Sequence, residues 1–124
     1  MKRVYVAGKF SADNVLDVLK NIGIGEEACS KLFMGGHAPF CPWHDRTYVV
    51  SNPRGEFYVE KFYNFSMAWL DVSDCVLVLP GYETSKGTLL EIERAKELKI
   101  EIIYLAEGED PCQAIDERSK NVSN

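Results

Sequence analysis

The stretch Cys75-Val76-Leu77-Val78-Leu79-Pro80-Gly81-Tyr82-Glu83-Thr84-Ser85-Lys86-Gly87-Thr88-Leu89-Leu90-Glu91 decides the fold. Its first five residues are apolar without alternation, the pattern of a strand covered on both faces in a parallel sheet. Pro80 ends the run, because it has no N–H to continue a ladder. Residues 81–86 read as a loop. Residues 88–98 predict a helix with Leu90, Ile92, Ala95 and Leu98 toward the core. Strand, loop and helix in this order form the repeating unit of an α/β domain.

The flanking sequence repeats the pattern. Arg3-Val4-Tyr5-Val6-Ala7 is a first β-type run, ended by Gly8. Val15, Leu16, Val18, Leu19 and Ile22 give one apolar helical stripe, with Asp13 as its cap and Gly23 and Gly25 as its stop. Residues 26–34 predict another helical turn or two, closed by Gly35-Gly36. Residues 38–41 predict a short strand, and residues 43–55 a loop. Residues 56–71 predict a helix that buries Phe57, Phe62, Phe65 and Trp69. Residues 100–105 predict the last strand. Asp110-Pro111 is a helix start, cap then first position, for a short polar helix whose end frays. The expected fold is therefore α/β: a small Rossmann-like (flavodoxin-like) three-layer sandwich with a mainly parallel four- or five-stranded sheet. Residues 1–106 form the domain, and residues 107–124 a polar helix and tail.

Composition narrows the function. The chain has 124 residues, enough for one core, and a net charge of -5. No basic face is visible to replace the counterions of nucleic acid, so that partner is not expected. A small anion remains possible, since backbone N–H groups hold phosphates well. No secretory signal and no apolar run of membrane-spanning length is seen, so a cytoplasmic protein with no membrane partner is expected. Cys29, Cys41, Cys75 and Cys112 form no Cys-x-x-Cys pair and read as reduced thiols, Cys75 in the core. His37, Cys41, His44 and Asp45 match no standard zinc spacing, and the expectation is a pocket rim without metal. Of 14 aromatic residues, nine lie between Phe40 and Trp69. Such crowding marks a pocket wall or an oligomer interface.

Ligands of open parallel sheets bind outside the carboxyl ends of the strands. Two such ends carry chemistry here: Gly8-Lys9-Phe10, and the loop from Pro80 to Gly87. Gly87 permits close backbone approach. Ser85 and Thr88 offer hydroxyls, and the next helix offers free N–H groups and a partial positive charge. Glu91, one turn on, is placed to face the same crevice, whereas Glu93 and Glu97 face solvent. A carboxylate beside an anion cradle suits a ligand with both an anionic group and an electrophilic carbon, such as a ribosyl C1′. The same residues are also ordinary turn and cap residues. Phe10, Tyr82 and Trp43 are each placed either to stack on a base or to pack the fold. Asp74 is expected to make a structural hydrogen bond.

The sequence resembles the nucleoside 2-deoxyribosyltransferase-like superfamily, which includes 2′-deoxynucleoside 5′-phosphate N-hydrolases, and most of all its short bacterial and phage members. The likeness rests on Val4-Tyr5-Val6-Ala7-Gly8, on Ala68-Trp69-Leu70 with Ser73-Asp74, and on Leu79-Pro80-Gly81 followed by Ser85-Lys86-Gly87-Thr88-Leu89-Leu90-Glu91 and Ala95. It implies that Glu91 is a nucleophile that attacks C1′ and expels the base through an oxocarbenium-like transition state. It implies substrate contacts from Gly8, Lys9, Phe10, Ser66, Gly81, Ser85, Gly87 and Thr88, no cofactor, and a homodimer or higher oligomer. The position of Ser85 holds a phosphate-contacting serine in the nucleotide hydrolases and a carboxylate in the transferases, which favours a nucleoside 5′-monophosphate.

One position departs from the superfamily. An aspartate that assists the nucleophile or the leaving base usually stands eight residues before Asp74, where this chain has Ser66. A serine is no general acid near neutral pH. Asp71, Glu60 or Glu83 are the candidates to replace it, and a non-catalytic nucleotide-binding protein is the alternative.

Overall fold

The computed structural model describes residues 1–119. Four strands, β1 (Arg3–Ala7), β2 (Ala38–Phe40), β3 (Cys75–Val78) and β4 (Glu101–Tyr104), form one sheet in the order β2-β1-β3-β4. Every pairing is parallel. Helices cover both faces: α1 (Val15–Met34) and α5 (Pro111–Arg118) on one side, α3 (Val59–Leu70) and α4 (Lys86–Glu97) on the other. The fold is the predicted three-layer α/β sandwich. β3 is buried along its whole length, as its unbroken apolar run requires.

Side-chain alternation splits the core in two. Val4, Val6, Cys75 and Leu77 face α1, while Tyr5, Ala7, Val76 and Val78 face α3 and α4. Asp74 accepts a hydrogen bond from the Arg3 N–H at 2.7 Å, tying the start of β3 to β1. All four cysteines are free thiols, Cys75 fully buried.

Several local expectations are corrected. Gly23 and Gly25 do not stop a helix, because α1 runs unbroken for 20 residues to Gly35. Gly25 instead makes room: a Cβ there would lie 2.3 Å from the Trp43 indole. Asn14, not Asp13, caps α1, its side chain accepting from the Asp17 N–H at 2.9 Å. In the first turns of α1 Val15, Leu16 and Leu19 are exposed, Val18 packs partly on the core, and full burial begins at Ile22. Residues 43–55 are not all loop; a 3₁₀ turn over Pro42–Asp45 leads into α2 (Arg46–Val50).

α3 is rotated from the expected face. It buries Ser66, Met67 and Leu70 and leaves Phe65 and Trp69 exposed. The rings are used sideways instead. Tyr5, Phe40 and Trp69 form a stack with centroids 5.3 and 5.9 Å apart, running from the core to the β2 edge. α4 likewise buries Thr88, Ile92 and Ala95, with Leu90 and Leu98 exposed. α5 begins at the predicted Asp110-Pro111 start, yet its Ala114 and Ile115 are fully buried in the α1-side core. Fraying beyond Ser119 concerns residues outside the described part.

Candidate active site

The parallel sheet brings three loops side by side in strand order: the 3₁₀ turn after β2, Gly8-Lys9-Phe10 after β1, and residues 79–85 after β3. They and the exposed start of α1 enclose a cavity of about 800 Å³. That size is within the range of small-molecule sites.

One wall is the start of α4. Ser85 caps the helix, its Oγ accepting from the Thr88 N–H at 3.3 Å and meeting Thr88 Oγ1 at 2.8 Å. Both hydroxyls are thus engaged within the cap, and Thr88 is buried. The N–H groups of Lys86 and Gly87 remain without an intrahelical acceptor, as in any first turn. A Cβ on Gly87 would meet no protein atom within 4 Å. The protein's own packing therefore does not demand glycine there.

Glu91 projects from the buried side of α4 onto the cavity wall. The phenol of Tyr5, from the middle of β1, donates a hydrogen bond to Glu91 Oε2. Burial pushes the Glu91 carboxyl up to about 7; the Tyr5 hydrogen bond opposes this and the charge of Asp45 adds to it. The carboxyl therefore holds its proton more tightly than an exposed glutamate does. Burial and the adjacent carboxylate also drive the Tyr5 phenol far up, so it stays a donor.

The opposite wall comes from Trp43 and Asp45. Trp43 is buried, and its Nε1 donates to the Lys9 carbonyl at 2.8 Å. Gly8 passes between Trp43 and Leu79, where a Cβ would lie 3.1 Å from each. Trp43 is thus a structural residue rather than a base-stacking one. Tyr82 packs against Tyr104 with tilted rings 5.2 Å apart and does not line the cavity.

The structure brings Gly8, Lys9, Phe10, Ser85, Gly87, Thr88 and Glu91 to one cavity. Two anticipated contacts lie elsewhere. Ser66 is buried and absent from the cavity lining, close enough to the Tyr5 phenol to ease the rise in its pKa. Gly81 takes the left-handed φ of 87° and lies beneath the Lys9 side chain. None of the proposed replacements for the missing aspartate reaches the cavity. Asp71 pairs with Arg94 at 3.3 Å, and Glu60 and Glu83 are exposed.

Sequence reasoning missed Tyr5 and placed Asp45 only in a pocket rim, which it does line. Tyr5 left a signal, since a tyrosine inside an aliphatic buried strand needs a partner for its hydroxyl. His37 accepts from the Lys2 N–H at 3.3 Å and meets Asp116 at 3.0 Å, whereas His44 pairs with Glu26 at 3.1 Å. The nine crowded aromatics do not wall the main cavity as a group. Phe40, Tyr48, Phe65 and Trp69 line a separate groove of about 520 Å³ at the β2 edge. Among the described residues no helix is long and apolar enough to cross a membrane.

Fold and site together define a parallel α/β domain with a half-buried carboxylate beside an open helix N-terminus. Residues 2–104 match the family described as Domain of unknown function (DUF4406), and the chain belongs to that family. Among solved structures it is similar to a 2-deoxyribosyltransferase from the psychrotolerant bacterium Bacillus psychrosaccharolyticus. The TM-score is 0.58 at 19% identity, over 82% of this chain and 70% of that one, a likeness of fold. No curated protein matches this chain.

Proposed function

We propose that this protein cleaves or transfers the N-glycosidic bond of a (deoxy)nucleoside 5′-monophosphate, with Glu91 as nucleophile. The carrying observation is the Glu91 carboxylate on the cavity wall, fixed by Tyr5 and set one helical turn from the free N–H groups of α4. The 5′-phosphate binds at those N–H groups. The sugar then lies over Glu91, and the base extends toward the β2 end of the cavity. Tyr5 holds one carboxylate oxygen and leaves the other for C1′. Desolvation keeps the carboxylate reactive, because water is not there to solvate its charge. The fold shared with a 2-deoxyribosyltransferase is compatible with this chemistry and does not carry it.

The test is incubation with a panel of nucleoside and 2′-deoxynucleoside 5′-monophosphates, followed by chromatography of the free base. Release by the parent and its loss, by a factor on the order of 10⁴ or more, in Glu91→Gln is expected. Nucleotide binding that stabilises both proteins equally, without base release, would instead identify a non-catalytic nucleotide-binding protein. The Ser66 departure gives that outcome its interest.

A further inference from the structure

We infer that Asp45 is the acid that protonates the departing base, taking the place of the carboxylate that Ser66 lacks. The inference rests on the proposed glycosidic chemistry and adds to it a residue from outside the strand–loop–helix unit.

Asp45 closes the 3₁₀ turn after β2 and lines the cavity that holds Glu91. Strand order sets its place. The β2 turn and the α4 N-terminus flank the β1 loop on opposite sides. A nucleotide with its phosphate at α4 and its C1′ over Glu91 therefore turns its base toward Asp45.

The neighbours of Asp45 are all engaged elsewhere. Trp43 anchors the turn in the core and on the Lys9 carbonyl. His44 reaches Glu26 of α1 at 3.1 Å. Arg46 reaches the same Glu26 at 3.2 Å and the Trp43 carbonyl at 3.0 Å. The two cations adjacent in sequence are thus drawn to Glu26. Among the described residues, no hydrogen bond or ion pair holds the half-buried Asp45 carboxyl. With its flanking groups satisfied, Asp45 keeps an unpaired carboxyl at the boundary of this cavity and the β2-edge groove, both of which it lines.

Its surroundings raise its affinity for a proton. Burial raises the Asp45 pKa to about 6, with only His44 opposing. Glu91 of α4 and Tyr5 of β1 face it electrostatically. Lys9, Lys86, Asp13, Asp17 and Lys20 line the same cavity farther along its rim. A stacked base excludes more water and strengthens the proton's hold.

In the first step a Glu91 oxygen lone pair forms a bond to C1′. The C1′–N bond breaks, its electron pair goes to the base, and the Asp45 proton moves to a base nitrogen. In the second step water, or an acceptor base, attacks C1′ and gives its proton to the Asp45 carboxylate. The C1′–O bond breaks and returns its pair to Glu91. Both groups end as they began.

Asp45→Asn and Asp45→Glu are compared with the parent on 2′-deoxyguanosine 5′-monophosphate and its N7-methyl derivative, whose base departs without protonation. We expect Asp45→Asn to slow the ordinary nucleotide by about 10²–10⁴ and the methylated one by less than about 10-fold. Asp45→Glu should recover part of the loss. With any nucleotide that the parent cleaves, kcat/KM should be bell-shaped, with limbs near pH 6 and pH 7 that belong to the Asp45–Glu91 pair. The alkaline limb should vanish in Asp45→Asn. Equal losses on both nucleotides, or an unchanged alkaline limb, overturn the role of Asp45 and leave Glu91 as nucleophile. No base release by the parent from any nucleotide overturns both.

Discussion

The two walls of the cavity are built in opposite ways. The α4 wall is local: strand, loop, cap and Glu91 all fall within residues 75–91, and the helix N-terminus follows from the chain's own hydrogen bonds. The β2 wall is assembled from a distance. Trp43 reaches its place because Gly25 of α1 yields space and the Lys9 carbonyl accepts its N–H. Only then does Asp45 join Glu91 in lining the cavity. A motif announces the first kind of wall. The second exists only after the layers have packed.

Substitutions should separate the two. The largest effect on stability belongs to the assembled wall. Trp43→Ala empties a buried volume and frees the Lys9 carbonyl, so a loss of about 3–5 kcal/mol is expected in urea denaturation. A loss under about 1 kcal/mol would mean that the turn is held by something other than Trp43, and the contrast between the walls would fail.

Glu91→Gln should act in the other direction. The folded carboxyl titrates at about 7, above its ordinary value of 4.5. The folded protein therefore holds this proton more tightly than the unfolded chain. The advantage is complete below about pH 4.5 and is lost as pH rises through 7. Glutamine cannot ionise and still accepts from Tyr5. Glu91→Gln should match the parent near pH 4.5 and exceed it by roughly 2–3 kcal/mol at pH 8. Equal stability at both pH values would show that Glu91 is well solvated, which removes the basis for its reactivity.

The same division explains what could be read from the sequence. The unbroken apolar run 75–79, the Asp110-Pro111 start and the alternation of strand and helix report backbone preferences that packing did not overturn. Helix faces were less legible. Trp69 and Phe65 are among the largest apolar groups on α3, yet Met67 and Leu70 are the ones buried against the sheet, while Trp69 stacks on Phe40 and Phe65 packs tilted against it. Gly25 reads as a helix stop in isolation. Its actual role depends on a tryptophan 18 residues later. Ser66 marked a missing acid, but nothing between it and Asp45 in sequence links the two. That relation arises from the order of the loops along the sheet.

Gly87→Ala probes the local wall, with the smallest effect on stability and the opposite sign from Trp43→Ala. The backbone there is ordinary helix, and an added Cβ meets no protein atom within 4 Å. Removing a glycine from a helical turn lowers the entropy of the unfolded chain, so the variant should be as stable as the parent or more stable by up to about 1 kcal/mol. Its methyl group nevertheless occupies space beside the free N–H groups of α4. Titration with a nucleoside 5′-monophosphate should then show affinity at least about 10-fold weaker, the cost of losing charge-assisted hydrogen bonds near 1.4 kcal/mol. The matching nucleoside, with no phosphate to place, should bind both proteins alike. Equal weakening of nucleotide and nucleoside would move the phosphate away from α4, and the 5′-monophosphate would lose its claim over the free nucleoside.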